Sequence, residues 1–138
     1  MSKTIHDTDA FTDAYIKCAL WSTNDESDPE TGGDPMDKNY GPEDIHPDTL
    51  ARMIADCTKF QADNAELLEQ AFEQHGKGDS SCGHDFWLTR NGHGAGFWDG
   101  DYSHDHGEGV VGKALTDASK EFGEVWLYVG DDGMIHQD

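Results

Sequence analysis

Residues 84–106 read HDFWLTRNGHGAGFWDGDYSHDH and combine two tryptophans, four histidines and a run of alternate glycines. In residues 84–90, an extended chain would point Phe86, Leu88 and Arg90 to one face and Trp87 and Thr89 to the other. This period of two is typical of a strand with one buried side. An Asn-Gly pair follows, which favours a tight hairpin turn, and the AGFWD segment can pair back across it. We therefore predict a β-hairpin here, with glycines that serve the turn.

A second hairpin and three helices are predicted elsewhere. Residues 124–136, EVWLYVGDDGMIH, contain two apolar runs separated by the turn residues 130–133. Apolar residues at steps of three and four predict helices over 8–21, with Thr8 or Asp9 as the cap, and over 47–76 and 109–123. The predicted order is α-α-β-β-α-β-β. This order indicates an α+β fold, in which a small antiparallel β-sheet of two hairpins packs with about three helices.

The segment 47–76 gives the clearest helical signal. Pro47 suits the first position of a helix, and Gly76 suits the position just after its end. A narrow apolar seam that contains Asn64 could set the register of a homodimer through residues 48–75. The apolar stripe is wider than such a seam requires, which favours a helix packed on its own domain.

The chain has 138 residues, so we expect a single domain, 1–138, with one modest core. No stretch approaches the roughly 18 consecutive apolar residues that a membrane helix needs, and the first residues do not resemble a signal peptide. We expect an intracellular protein without a membrane partner. Its three widely spaced cysteines predict buried, reduced thiols.

The formal net charge is -20, from 29 acidic residues against nine Lys and Arg. Such a surface repels phosphate backbones and attracts basic proteins, so direct binding to nucleic acid is disfavoured. Three explanations stay open: a solvated surface with no specific target, a surface that mimics the charge of nucleic acid, and adaptation to high salt.

Residues 22–48 form a predicted acidic loop. Nine acidic residues and a single Lys38 lie here with all four prolines of the chain, which no helix or strand could accommodate. Tyr40 and Ile45 could attach the loop to the core. The predicted partner-binding carboxylates are Asp25, Glu26, Asp28, Glu30, Asp34, Asp37, Glu43 and Asp44.

An alternative site uses the histidine-rich stretch, as a small hydrolase or a metal-binding protein. Its candidate residues are His84, Asp85, His93, Asp99, His104 and His106. Their spacing matches no zinc motif, and the DGDYSHDHGEGV segment departs from a calcium loop at its required Gly and Glu. We therefore expect no cofactor and no bound metal. Trp87 and Trp98 are expected to pair across the hairpin, the alternative being an exposed binding anchor.

Three segments resemble a family of small acidic proteins encoded by tailed bacteriophages and prophages. They are residues 18–57, the motif GHDFWLTRNGHGAGFWDGD at 83–101, and YVGDDGMI at 128–135. The resemblance spans most of the chain and carries over no catalytic residues. It implies a phage accessory protein in the cytoplasm of an infected bacterium.

Small acidic phage proteins of this kind often inhibit nucleic-acid-binding host proteins, including defence enzymes. By this analogy of charge and setting, we expect a DNA mimic that binds and inhibits a basic host protein, in host takeover or anti-defence. The enzyme or metal-binding alternative comes second, and a virion or assembly component is the third.

Overall fold

The computed structural model describes residues 9–25, 34–92, 97 and 109–137. The helices are α1 (Ala10–Ser22), α2 (Pro47–Asp63), α3 (Ala65–His75), α4 (Asp79–Arg90) and α5 (Gly109–Lys120). The strands are β1 (Asn24–Asp25), β2 (Asp34–Pro35), β3 (Leu127–Val129) and β4 (Ile135–Gln137), and Met36–Lys38 and Pro42–Asp44 are short 3₁₀ helices. The described part is mostly helical with small antiparallel strand pairs, and its class is α+β.

The core is built around the contact between α1 and α4. A Cβ atom at Gly83 would collide with the carbonyl oxygen of Phe11, so only glycine allows the two helices to approach this closely. The ring of Phe86 stacks on Phe60 with centroids 4.2 Å apart and lies 5.3 Å from the ring of Tyr15. Aromatic side chains of α1, α2 and α4 therefore form one continuous apolar cluster.

The predicted strand over 84–90 is wrong, because these residues form the last two turns of α4. Phe86, Trp87, Leu88, Thr89 and Arg90 are all buried. The end of α4, residues 86–90, is buried on every side and has no polar face, although His84, two residues earlier, is exposed. Such a short apolar run cannot be distinguished from a strand by periodicity. The predicted cross-strand partner, Trp98, lies outside the described residues. Trp87 has the structural role that we favoured, but on a helix, where its Nε1 donates to Ser22 Oγ at 2.7 Å.

The predicted helix over 47–76 is two helices, with the break at Asn64. The backbone of Asn64 leaves helical geometry at φ -123° and ψ 26°, and its Nδ2 donates to the carbonyl of Phe60 at 2.9 Å. Asparagine side chains compete in this way with the helical hydrogen-bond pattern. The predicted helix start at Pro47 is confirmed, and so is its end at Gly76, which adopts φ 71°.

The prediction that the apolar stripe packs on its own domain is confirmed for α2. Met53, Cys57 and Phe60 are each fully buried within this chain. The same side chains therefore cannot also form the seam of a dimer through residues 48–75. On α3 the ring of Phe72 remains 63 % exposed.

Local signals at the two ends of the chain are confirmed. Asp9 caps α1, since its carboxylate accepts a hydrogen bond from the backbone of Thr12 at 2.8 Å. Helix α5 buries Val111 and Leu115, which lie four residues apart on one helix face. None of the three cysteines forms a disulfide, and all three are buried, as predicted. Trp21 is an exception on α1, because its ring is 58 % exposed instead of packing on the core.

The C-terminal hairpin is confirmed, with β3 antiparallel to β4. Its other edge meets the end of the acidic loop, where Ile45 forms a parallel bridge with Ile135 and the backbone of His46 donates to Ile135 at 2.9 Å. Within the described ranges, β3 is thus the outer strand of this small sheet. No helix in those ranges is long and apolar enough to cross a membrane.

Candidate functional site

The eight predicted carboxylates of the acidic loop do not all share one role. Asp37 and Glu43 are exposed, as a binding surface requires. Asp44 instead closes a 3₁₀ turn, because its carboxylate accepts from the backbone of Gly41 at 2.8 Å. The other five are Asp25 and Asp34, which face each other in the β1–β2 backbone pairing, and Glu26, Asp28 and Glu30, which lie outside the described residues.

The loop is attached to the core through Met36, Tyr40 and Ile45. Met36 and Ile45 are buried, and Tyr40 is partly buried and packs against the core, as predicted. The backbone of Met36 also donates to Thr23 at 2.8 Å, which closes the loop beside the end of α1. Ile45 was predicted as an attachment point, whereas Met36 carried no distinguishing signal among its polar neighbours.

A cleft of about 980 Å³ opens between α1, α4 and the loop residues 37–42. Leu20, Leu88 and Cys18 contribute apolar surface to it. Its other lining residues are Ala14, Lys17, Trp21, Asp37, Tyr40, Pro42, Lys77, Ser80, Ser81, His84 and Asp85. The cleft is at the upper end of the volumes typical for small-molecule sites, and it combines apolar walls with a few polar groups as such sites do.

The cleft brings together residues from both predicted sites. Asp37 comes from the acidic loop, and His84 and Asp85 come from the histidine-rich stretch. The Nδ1 atom of His84 lies 3.3 Å from Oδ1 of Asp85, and the ring of Trp21 lies 6.2 Å from the imidazole. The remaining members of the alternative site, His93, Asp99, His104 and His106, lie outside the described residues.

The chemistry available in the cleft is that of an oriented imidazole. A carboxylate beside a histidine fixes the orientation of the ring and supports its use as a general base. Ser80 and Ser81 precede His84 by one helical turn, so their hydroxyls start from the same side of α4. Sequence reasoning found His84 and Asp85 but assigned them to a strand, and it did not connect them with Asp37.

The thiol of Cys18 does not serve as a nucleophile in this cleft. Burial, together with the nearby carboxylate of Asp85, raises its pKa to about 12. The thiol is therefore protonated at neutral pH, whereas both nucleophilic attack and metal binding need the thiolate. Among the residues that the structure describes, no three His, Cys, Asp or Glu side chains lie close enough together to hold a metal ion.

A row of carboxylates on α3 was missed by the sequence analysis. Glu66, Glu69 and Glu73 are all exposed and follow the i, i+3, i+7 spacing of one helix face. At a rise of about 1.5 Å per residue, the row extends for about 10 Å along the helix. We call these three residues the α3 carboxylate row. This spacing is visible in the sequence, but we predicted the binding surface in residues 22–48 because acidic residues are densest there.

A second missed surface lies on the C-terminal hairpin. Trp126 and Tyr128 are 70 % and 48 % exposed, and Glu124, two residues before Trp126, is also exposed. The intervening Leu127 is buried, so the alternation directs both rings outward. The ring of His136 on β4 stacks on Tyr128 with centroids 5.5 Å apart. We call the surface formed by Trp126, Tyr128 and His136 the hairpin aromatic face.

Comparisons with protein-family models, with curated proteins and with solved structures found no match for this chain.

Proposed function

We propose that this protein is a binding protein, not an enzyme, and that it occupies the nucleic-acid-binding surface of a basic protein. The observation that supports this most directly is the α3 carboxylate row, in which Glu66, Glu69 and Glu73 are exposed on one face of a regular helix. The formal net charge of -20 adds a long-range field of the same sign. The carboxylates of the row would take the positions that phosphates occupy in the partner's natural ligand.

Two physical effects favour binding through such a row. A helix holds the backbone of its carboxylate residues at fixed spacing, so pairing with lysines and arginines orders side chains but no further backbone. The net negative field attracts a basic partner and accelerates the encounter. The same field repels nucleic acid, so the proposal includes no direct contact between this protein and DNA or RNA.

The setting in our proposal comes from the resemblance to phage proteins. In that setting the protein acts in the cytoplasm of an infected bacterium, and its partner is a host protein with a basic groove. Blocking the groove would prevent that host protein from engaging nucleic acid, which is the action of a DNA mimic in host takeover or anti-defence.

The test is capture of partners from an infected bacterial lysate, followed by release with salt and with double-stranded DNA. We expect a nucleic-acid-binding protein that DNA displaces, with an affinity that falls steeply as salt screens exposed charges beyond about 8–10 Å. The combined variant Glu66→Gln, Glu69→Gln and Glu73→Gln should bind more weakly, mainly through slower association.

A matched variant controls for net charge. Asp48→Asn, Asp117→Asn and Glu121→Gln together remove the same charge from exposed positions outside both the row and the eight predicted loop carboxylates. Equal weakening by both variants would show that the row has no special role. Recovery of only capsid or tail proteins, or of a partner indifferent to DNA, would contradict the proposal.

A second candidate function is a small-molecule or hydrolase activity in the cleft, favoured by the 3.3 Å contact between His84 and Asp85 beside Ser80 and Ser81. Hydrolysis of p-nitrophenyl acetate provides a simple probe. A cleft activity should be lost in His84→Gln and kept in His75→Gln, since His75 does not line the cleft. Equal rates in both variants and the parent protein would exclude His84 as a base for this reaction.

A further inference from the structure

We propose that the hairpin aromatic face, together with the carboxylates of Glu124 and Asp132, binds an extended, arginine-rich segment of the partner. This inference rests on the proposed function, since it names the kind of segment that the basic partner presents. It adds a second contact surface, separate from the α3 carboxylate row, with its own chemistry.

The exposed rings are the first observation. Trp126, just before β3, is 70 % exposed, and Tyr128 on β3 is 48 % exposed. Large aromatic rings are the side chains most enriched among residues that dominate binding energy, because they bury much area with few rotatable bonds. The chain as a whole is polar, with a mean hydropathy of -0.78. Two exposed rings on such a chain indicate an interaction surface, because a partner that covers them removes apolar area from water.

The second observation is that the ring of Tyr128 is held in place before any partner binds. It stacks on His136 at 5.5 Å, with the ring planes 20° apart. His136 in turn stacks on His46 at 4.8 Å, and its Nε2 lies 3.0 Å from both carboxylate oxygens of Asp132. A pre-ordered ring loses little entropy on binding, which favours affinity.

The negative charges near this face favour a positively charged ligand. Glu124, two residues before Trp126 in the chain, is exposed. The pKa of Asp132 is lowered by its hydrogen bonds to the backbone of Met134 and to His136, so this carboxylate is ionised at neutral pH. A guanidinium group can lie over an aromatic ring while it pairs with a neighbouring carboxylate.

The sheet edge favours an extended segment over a helix. β4 is flanked by β3 on one side and by Ile45 and His46 on the other. Within the described part of the chain, β3 pairs with no strand except β4, so its second edge offers backbone groups to an added strand. An extended segment that pairs there would place alternate side chains over the aromatic face.

The test uses a 12-residue peptide of alternating Arg and Thr as the probe, and it measures the dissociation constant by calorimetry with the full chain. Trp126→Ala and Tyr128→Ala should each weaken binding by about tenfold or more, as for central aromatic residues of interfaces. Trp21→Ala is the matched control, because Trp21 is equally large and 58 % exposed but lies on α1. It should leave the dissociation constant unchanged.

Two further measurements separate charge from shape. A peptide with citrulline in place of arginine keeps the side-chain shape and loses the positive charge, and it should bind at least about tenfold more weakly if cations over the rings matter. Glu124→Gln should weaken binding of the arginine peptide without altering the melting temperature, because Glu124 is exposed. Thermal melts of all variants guard against a loss that reflects unfolding.

The outcomes distinguish this inference from the proposed function. If the α3 row variant releases the captured partner while Trp126→Ala and Tyr128→Ala bind both the partner and the peptide normally, the proposed function stands and the aromatic face is not its site. If Trp21→Ala weakens peptide binding as much as Trp126→Ala, peptide binding is not specific to the hairpin and the inference is wrong. If neither surface affects capture, both proposals fail.

Discussion

Arg90 and Asp56 form an ion pair across the core, with Nη1 of the guanidinium 2.9 Å from Oδ2 of the carboxylate. The arginine side chain is only 2 % exposed, and it also donates to the hydroxyl of Tyr15 at 3.0 Å. Its other nitrogens donate to the carbonyls of Phe122 and Gly123, each at 2.9 Å, just beyond α5. One buried cation at the end of α4 therefore joins α1, α2 and the end of α5.

Replacing this cation should destabilise the fold strongly. Arg90→Leu leaves the carboxylate of Asp56 and two partly buried carbonyls without their donor, and we expect a loss of about 3–5 kcal/mol in the free energy of unfolding. Arg90→Lys should also destabilise, since an ammonium cannot reach all four acceptors in the same directions. Urea denaturation measures both. A loss below about 1 kcal/mol for Arg90→Leu would show that the network contributes little.

Gly83 should tolerate no side chain. In Gly83→Ala the new Cβ meets the carbonyl of Phe11, so α1 and α4 must separate, and we expect a loss of about 1–3 kcal/mol or more. Gly78→Ala is the control, because the nearest atom to a Cβ there is a ring carbon of Phe72 at 4.0 Å. Chemical denaturation should give a clearly lower free energy of unfolding for Gly83→Ala than for Gly78→Ala. Equal stability would mean that the helices approach less closely than the structure indicates.

The three thiols should react only on unfolding. Burial raises the pKa of Cys18 to about 12 and that of Cys57 still further, so the thiolate fraction near pH 8 is very small. Ellman's reagent should therefore modify the folded protein slowly and all three cysteines rapidly in guanidinium chloride. Rapid modification of one thiol in the folded protein would contradict this, and Cys18→Ser would identify it if the cleft gives access.

The C-terminal hairpin should loosen in acid. The pKa of Asp132 is lower in the folded protein than in the unfolded chain, so its hydrogen bonds add stability that is complete above about pH 5, beyond the unfolded value of about 3.9. This contribution is lost as the pH falls through the lower, folded pKa. Stability measured between pH 2 and 7 should therefore decline less at the acid end in Asp132→Asn than in the parent protein.

The control for this pH dependence is Asp131→Asn, a neighbouring exposed carboxylate in the same turn. It should retain the acid loss of the parent protein. If Asp131→Asn and Asp132→Asn behave alike, the acid sensitivity arises from net charge and not from the contact between Asp132 and His136.

Part of the candidate site was accessible from the sequence. His84 and Asp85 were identified as neighbours, and they do lie 3.3 Å apart. Asp37 lines the same cleft only because the loop passes beside α1, and no spacing in the sequence predicts that arrangement. The exposure of Trp126 was equally hidden, because an exposed tryptophan and a core tryptophan look the same in a sequence.

The sequence by itself determined the features that depend on a few neighbouring residues. The Asp9 cap, the helix start at Pro47, the left-handed Gly76 and the turn of the C-terminal hairpin all follow from local backbone and side-chain chemistry. Each of these signals lies within one turn of the element that it defines.

Only the tertiary structure decided that residues 84–90 are helical and that the helix breaks at Asn64. Over residues 86–90 of α4, burial on every side removed the polar face that distinguishes a helix in sequence, and the choice was made by packing against α1 through Gly83. At Asn64, the side chain bonded to the carbonyl of Phe60 instead of filling a dimer seam, since the apolar face of α2 was already covered by its own core. For residues 84–90, contacts between distant segments outweighed a weak local preference, because burial contributes more free energy than propensity does. At Asn64 the bond to Phe60 is local, and the tertiary structure decided only that no dimer seam competes with it.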